Sequence, residues 1–498
     1  MKKSVFYAIA ITSILSVGCS EEFLDPVRNT NVITSEDLAN YSNNNPALVA
    51  GTLEGIYSYM VQPGGTSGIS SHYDLGQKGV DIYLDILSGD TALSANTYGW
   101  YQNTANLVTT VDFTRAENRI VWTYYYKVIN TANIVILSLG GDDAIPSSTV
   151  GKQIMGQAKA SRAYAYFYLA QIFQREYDPN QEILPFYTGS QAIPSKVPAS
   201  QVYDLILDDL TQAIDYLNGF NRTLKSQIDV NVAKGLLAYT HAAMGNYSEA
   251  KLVSEDIINT SGYPLTTVGQ LAFPGSGSGF NNVQTPSWMW GYDITPDMGH
   301  QLVNWWGQMD YYTFSYQWAG DRKVIDSGLY SQIPAIDVRK NQFGTSGITN
   351  GMPINKFFDP GRTAGGQQAI TTDYIFMRIE EFYLLSAESS AKSGDEATAK
   401  NRLKQLMSIR LGGQANADAY VNPLSGQALN DAIYLQTRLE LWGEGKSYLA
   451  LKRNKATSTR GTNHVFRSGQ SFPYNSDELS FQIPQTEFNN NPSITTQN

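Results

Sequence analysis

The sequence predicts a mainly α-helical protein, in which a tetratricopeptide-like superhelix supports an irregular, loop-rich half. Three observations carry this expectation. Apolar residues recur at helical spacing over long stretches, a helix–turn–helix junction occurs twice, and the segments between are aperiodic and rich in Gly, Pro and Asn. Repeat-type helices are expected over about residues 36–60, 117–260 and 374–455, with loop-rich aromatic regions over about 72–115 and 262–372.

Val202, Leu205, Ile206, Leu210, Ala213, Ile214 and Leu217 form one core-facing stripe behind Ser200, a candidate N-cap. A second helix follows Asp229 with Val232, Leu236, Tyr239, Thr240 and Ala243, and closes at Gly245-Asn246. Tyr247, Ala250, Val253 and Ile257 mark a third. The small residues of 242–250 let paired helices approach closely, and a similar junction recurs at 387–397, where Gly394 closes one helix and Asp395 can cap the next. Ala158 to Ala170 reads as another packing helix, and Trp122 and Trp442 sit in helical patterns as core residues. The uneven spacing of the junctions predicts a superhelix interrupted by insertions.

Residues 1–18 read as a signal peptide: Lys2 and Lys3 precede a mostly apolar stretch from Val5 to Val17 that is too short to span a bilayer, and Gly18-Cys19 follows. Cys19 is the only cysteine, so no intramolecular disulfide is possible, and its place behind the apolar stretch marks it for lipid attachment. Residues 19–498 show no biased linker and are expected to form one domain. The formal net charge of −10 repels phosphate backbones, which excludes nucleic acid and favours neutral ligands. The four histidines are scattered without ligand spacing, and no phosphate loop or nucleophile elbow occurs, so no metal and no cofactor is expected.

The last residues carry a resemblance. Ile483, Pro484, Glu487, Asn489, Asn491, Pro492, Gln497 and Asn498 fall on the closing pattern of the SusD/RagB family of outer-membrane nutrient-binding lipoproteins. Arg162-Ala163-Tyr164 through Leu169-Ala170, Met377-Arg378-Ile379-Glu380-Glu381-Phe382-Tyr383-Leu384, and Arg438 with Glu440-Leu441, Glu444-Gly445-Lys446 resemble three helices of that family, in the same order. Ser20-Glu21-Glu22 resembles the surface-export signal of Bacteroidetes lipoproteins. The resemblance implies the tetratricopeptide-like fold, a lipid anchor at Cys19 on the cell-surface side of the outer membrane, and a SusC-like TonB-dependent transporter as partner. It also implies that the protein is not an enzyme.

The candidate site is aromatic. Trp288, Trp290, Trp305, Trp306 and Trp318 lie within 31 residues, interleaved with Tyr292, Tyr311, Tyr312 and Tyr316 among Gly, Asn, Gln and Asp. A pyranose shows an apolar face and a polar rim, so flat rings flanked by amides and carboxylates suit an oligosaccharide or polysaccharide ligand. A second such segment holds Tyr98, Trp100 and Asn103 behind Asp81, Asp85 and Asp90. Trp100 with Asn103 resembles the Trp-x-x-Asn element of the family's starch-binding member. The expected ligand-binding set is Trp100, Asn103, Tyr98, Asp81, Trp288, Trp290, Tyr292, Trp305, Trp306 and Trp318, which requires the two segments to converge in space.

Two other classes fit the same residues. A peptide-binding lid of this architecture would rely less on tryptophan stacking. A glycosidase would use Glu440 and Glu444, one helical turn apart, as acid and base, although Arg438, Lys446 and Arg453 nearby favour a salt-bridge network.

Overall fold

The computed structural model describes residues 41–42, 45–66, 68, 71–189 and 193–498. The expected leader, Cys19 and the start of the first expected helix at residue 36 lie outside the described residues. Helices α1 (Ala50–Tyr59), α2 (Gly76–Ser88), α3 (Ala116–Ser138), α4 (Thr149–Phe173), α5 (Ala199–Tyr216), α6 (Val230–Ala243) and α7 (Tyr247–Thr260) come first. After a long excursion come α8 (Glu380–Lys392), α9 (Glu396–Arg410), α10 (Gln414–Val421), α11 (Gly426–Glu440) and α12 (Ser447–Arg453), with shorter helical turns between. Each of α3 to α7 packs on the next; α7 then packs directly on α8, and α8 on both α9 and α11. The mainly α-helical superhelix is therefore continuous across the excursion, which bulges out as the loop-rich half. Among the described residues no helix is long and apolar enough to cross a membrane.

Local chemistry sets the boundaries. Asp229 accepts the amides of Asn231 and Val232 at the start of α6, and Asp395 accepts that of Thr398 at the start of α9. Gly245 and Gly394 take φ of 82° and 87°, the left-handed geometry that ends a helix. Ser200 caps nothing. Helix α5 starts at Ala199 straight from a strand, and the Ala199 and Ser200 amides donate to Gln181 and Pro179 carbonyls of the preceding hairpin.

Among the described residues, eight short strands form four antiparallel pairs. They are β1 (Thr91–Leu93), β2 (Glu182–Pro185), β3 (Lys196–Pro198), β4 (Trp288–Tyr292), β5 (Lys323–Ile325), β6 (Tyr374–Arg378), β7 (Thr457–Thr459) and β8 (Ser471–Pro473), paired β1–β5, β2–β3, β4–β6 and β7–β8. One of these strands and one helix correct the sequence expectation. Tyr374–Arg378 is a strand and the helix begins only at Glu380, because β6 pairs with β4 at the base of the excursion. Region 72–115 is not all loop, since α2 is a buried thirteen-residue helix.

One hydrophobic cluster runs from Val49 to Ile494 and includes Trp122 and Trp442; a smaller one lies among α8 to α11. The tail is docked onto it. The Gln497 side chain bonds both the amide and the carbonyl of Ile483, at 2.8 and 2.9 Å. The Asn498 amide donates to the carbonyls of Phe173 and Phe481. Glu487 accepts from Trp122 Nε1 and from Asn491.

A buried ion network locks α8, α9 and α11 to the excursion. Glu440 meets Arg378 at 2.7 Å, Arg410 at 2.6 Å and Arg339 at 3.1 Å; Glu444 meets Arg378 and Lys356, both at 2.8 Å. These are not the partners the sequence suggested. Arg438 pairs with Asp90, Lys446 with Glu381 and Arg453 with Glu388.

Candidate functional site

The two aromatic segments meet along the β1–β5 ribbon. Past Leu93 the ladder continues, with the Ser94 amide donating to the Arg322 carbonyl, the Arg322 amide to Ala95, and the Thr97 amide to Gly320. Gly320 has φ of 138°, and a Cβ there would lie 2.4 Å from Thr97 Oγ1, so only glycine permits this approach. The Asp321 carboxylate then accepts the Tyr98 amide at 2.7 Å and the Trp100 amide at 3.0 Å. Residues 97–103 are thereby laid against the turn that carries Phe314, Tyr316 and Trp318.

The rings pack in two groups on the converged segments. Tyr316 lies 5.1 Å from Tyr98 and 5.5 Å from Trp100, centroid to centroid, and Trp100 leans on Tyr73 at 4.8 Å. Phe314 and Trp318 are 5.5 Å apart at an interplanar angle of 37°. Trp318 rests on Gly365, where a Cβ would come within 2.7 Å of the indole. Tyr98, Phe314 and Trp318 are 59%, 41% and 37% exposed, while Trp100 and Tyr316 are half-buried. Asn103 donates to Glu117 of α3 at 2.9 Å; its amide oxygen has no partner among the described residues.

Beneath this face runs a buried polar chain. His72 lies tilted against Trp100 at 4.7 Å and 53°, and meets Tyr316 edge-on at 4.5 Å. Gln308 bridges it to Lys323, with Nε2 donating to His72 Nδ1 at 2.9 Å and Oε1 accepting from Lys323 Nζ at 2.7 Å. Burial, reinforced by Lys323, lowers the His72 imidazole to about 3 and keeps it neutral. Burial also lowers the Lys323 ammonium to about 7, against the pull of Asp321. The chain fixes the underside of the rings.

The rest of the expected set lies elsewhere. Trp288 and Trp290 are buried in β4, with Trp290 Nε1 donating to the Ser226 carbonyl and its ring edge-on to Tyr164 of α4. Trp305 and Trp306 are buried against Phe357, and Trp306 Nε1 donates to the Thr372 carbonyl. All four fix the base of the excursion and present no ring face to solvent. Asp81 is buried in α2, accepting from Gln77 and Lys78 at 2.8 Å each, so it is a structural ion and not a sugar ligand. Asp85 accepts the Gly445 amide and Asp90 pairs with Arg438, so all three acids of that stretch face inward. Tyr292, half-buried, lines a separate cleft of about 560 Å³ with Tyr263, Arg222 and Lys225.

Sequence reasoning passed over Phe314 and Asp321 and did not rank Tyr316. Phe314 stands four residues from a ranked tryptophan, and alternation along Phe314, Tyr316 and Trp318 was the available signal. Glu440 and Glu444 cannot supply a protonated acid. Burial alone would raise both, but Arg410 and Arg378 hold Glu440 well below its ordinary value, and Arg378 and Lys356 bring Glu444 to about 2. Among the described residues no three His, Cys, Asp or Glu side chains gather as metal ligands.

Fold and face together define a helical-superhelix protein that presents an aromatic surface on inserted loops. Residues 303–498 match the family model described as SusD family, and residues 70–237 match one described as starch-binding associating with outer membrane. The chain belongs to the SusD family. A SusD-like protein of Bacteroides ovatus is 24% identical over 280 residues; that match takes in 53% of this chain and 46% of the relative, less than half of its length. Among solved structures, a SusD-like carbohydrate binding protein from Bacteroides vulgatus superposes with a TM-score of 0.74 at 24% identity, covering 90% of this chain and 97% of that one. A SusD superfamily protein from Bacteroides thetaiotaomicron gives 0.73 at 21% identity, covering 91% and 99%. At these identities the likeness establishes the fold.

Proposed function

We propose that the chain is a cell-surface carbohydrate-binding lipoprotein of the outer membrane, which captures oligosaccharides and hands them to a SusC-like TonB-dependent transporter without catalysis of its own. The observation that carries this reading is the exposed aromatic surface, where Tyr98 and Trp100 from one segment meet Tyr316 from the other and Phe314 pairs with Trp318 on the same turn as Tyr316. Offset rings of this kind suit successive sugar units, and the free oxygen of Asn103 is placed to meet a hydroxyl. Family membership supports the outer-membrane setting, and the position of Cys19 behind an apolar leader supports the lipid anchor. The arginine-bound state of Glu440 and Glu444 supports a binding role over a hydrolytic one.

The test is isothermal titration of the chain from Ser20 onward against plant, host and microbial oligosaccharides, alongside Trp100→Ala and Trp318→Ala. We expect saturable binding to one glycan class, weakened about tenfold or more by either change. Binding that survives both substitutions, or binding of oligopeptides in place of sugars, overturns the reading.

A further inference from the structure

We propose that Arg322 heads a second ligand site, an oxyanion pocket that takes the carboxylate or sulfate of an acidic sugar. A pocket of about 280 Å³ opens on the far side of Arg322, lined by Ser94, Tyr330, Ile348, Asn350 and the glycines 344, 347 and 351. Among the described residues no acidic side chain lines it. Arg322 is the one charged group there, and its guanidinium makes no hydrogen bond or ion pair among the described residues, with Nε buried and unpartnered. The buried guanidinium groups of Arg378, Arg410 and Arg339, by contrast, each meet a carboxylate. The acid in this stretch of chain, Asp326, is turned away to Leu329, Gly461 and His464.

The backbone explains why the cation points here. Asp321 and Arg322 are adjacent in an extended segment, so their side chains leave on opposite sides of the ribbon. Asp321 goes to the aromatic face and Arg322 to the pocket. Tyr330 and Asn350 line the same pocket and can share an oxyanion, since the Tyr330 hydroxyl and the side-chain amide of Asn350 have no hydrogen-bond partner among the described residues. A planar fork of N–H donors matches a carboxylate or a sulfate ester, and in a chain of net charge −10 a local cation with no acid beside it selects for an anionic group. The ribbon that forms the pocket also carries the aromatic face, so an acidic unit here would sit at the flank of a bound glycan. The identity of the carrier rests on the glycan reading; the oxyanion site does not.

Two measurements test it. In the first, oligogalacturonate, a sulfated galacto-oligosaccharide and their neutral counterparts are titrated into the chain and into Arg322→Gln, Arg322→Lys and Trp318→Ala. We expect one acidic ligand to bind more tightly than its neutral counterpart, to lose about tenfold in Arg322→Gln and to regain only part of that loss in Arg322→Lys, which keeps the charge but not the fork. Whether the carboxylate or the sulfate series responds identifies the source of the oxyanion. Acidic and neutral ligands binding alike, or Arg322→Gln binding as the parent does, overturns the proposal. In the second, sodium glucuronate and sodium sulfate are titrated separately while the amide resonances of Gly347 and Gly351 are followed. Saturable shifts that vanish in Arg322→Gln support the pocket even if no oligosaccharide binds anywhere, which would sink the glycan reading alone. Absence of any saturable shift overturns the pocket even if neutral glycans bind the aromatic face.

Discussion

Asp321 and Trp100 are joined across 221 residues of chain by a hydrogen bond of 3.0 Å from the Trp100 amide to the Asp321 carboxylate, whose other oxygen takes the Tyr98 amide at 2.7 Å. One side chain thus sets the positions of two rings. Asp321→Ala leaves both amides without an acceptor, at a cost of about 1–3 kcal/mol each where water is excluded. Asp321→Asn keeps one acceptor and is expected to lose less. Urea unfolding of the two variants checks the order, and a larger loss in Asn than in Ala contradicts it.

Trp318 and Trp306 are twelve residues apart and are expected to behave oppositely. Trp318→Ala removes a ring that is 37% exposed, so unfolding is expected to change by less than about 1 kcal/mol while glycan affinity falls. Trp306→Ala empties a buried site and is expected to cost about 3–5 kcal/mol. Paired denaturation and titration curves separate the two effects.

Glu440→Gln is expected to destabilise by about 3–5 kcal/mol, because it leaves Arg378, Arg410 and Arg339 buried with too little negative charge. Equilibrium unfolding measures this. A hydrolytic activity abolished by the change in a protein of unchanged stability would contradict both the network and the binding role.

Acid is expected to undo the same network. Burial raises the Glu444 carboxyl, but Arg378 and Lys356 outweigh it and bring it to about 2; Glu388, buried against Arg453 and Lys392, also comes down to about 2. A carboxylate whose folded value is depressed contributes stability above its unfolded value of 4.5, and loses it as pH falls toward 2. Thermal unfolding followed from pH 6 to pH 2 is expected to fall most steeply below 4.5. In Glu444→Gln that dependence becomes shallower.

The superhelix was legible because its signal is local. Periodicity, glycine ends and acid caps lie within a few residues of one another, so α6, α7 and α9 begin and end where Asp229, Gly245 and Asp395 indicate. What failed was anything decided by distant chain. Trp288 and Trp290 sit among Thr, Pro, Gly and Asp and so read as a surface loop, yet β4 is covered by β6 on one edge and by α4 behind, and its burial shows no alternation. Asp81 read as a ligand-binding acid because its burial depends on Lys78 beside it and on a helix in which every residue is enclosed. Convergence of the segments around Tyr98 and Trp318 depended on Asp321, whose role appears only once β1 meets β5.

The excursion between α7 and α8 has an anchored stem and a varied crown. Its stem is the β4–β6 pair with the buried Trp288 and Trp290, and the helices on either side close directly on each other. Outside Arg339 and Lys356, which hold the crown to Glu440 and Glu444, sequence change in the crown therefore leaves the superhelix in place, much as antibody frameworks tolerate new loops. Over evolutionary time such a chain can exchange one nutrient for another by rewriting the stretch that bears Phe314, Tyr316, Trp318 and Arg322, while whatever surface the superhelix shares with a neighbour stays the same.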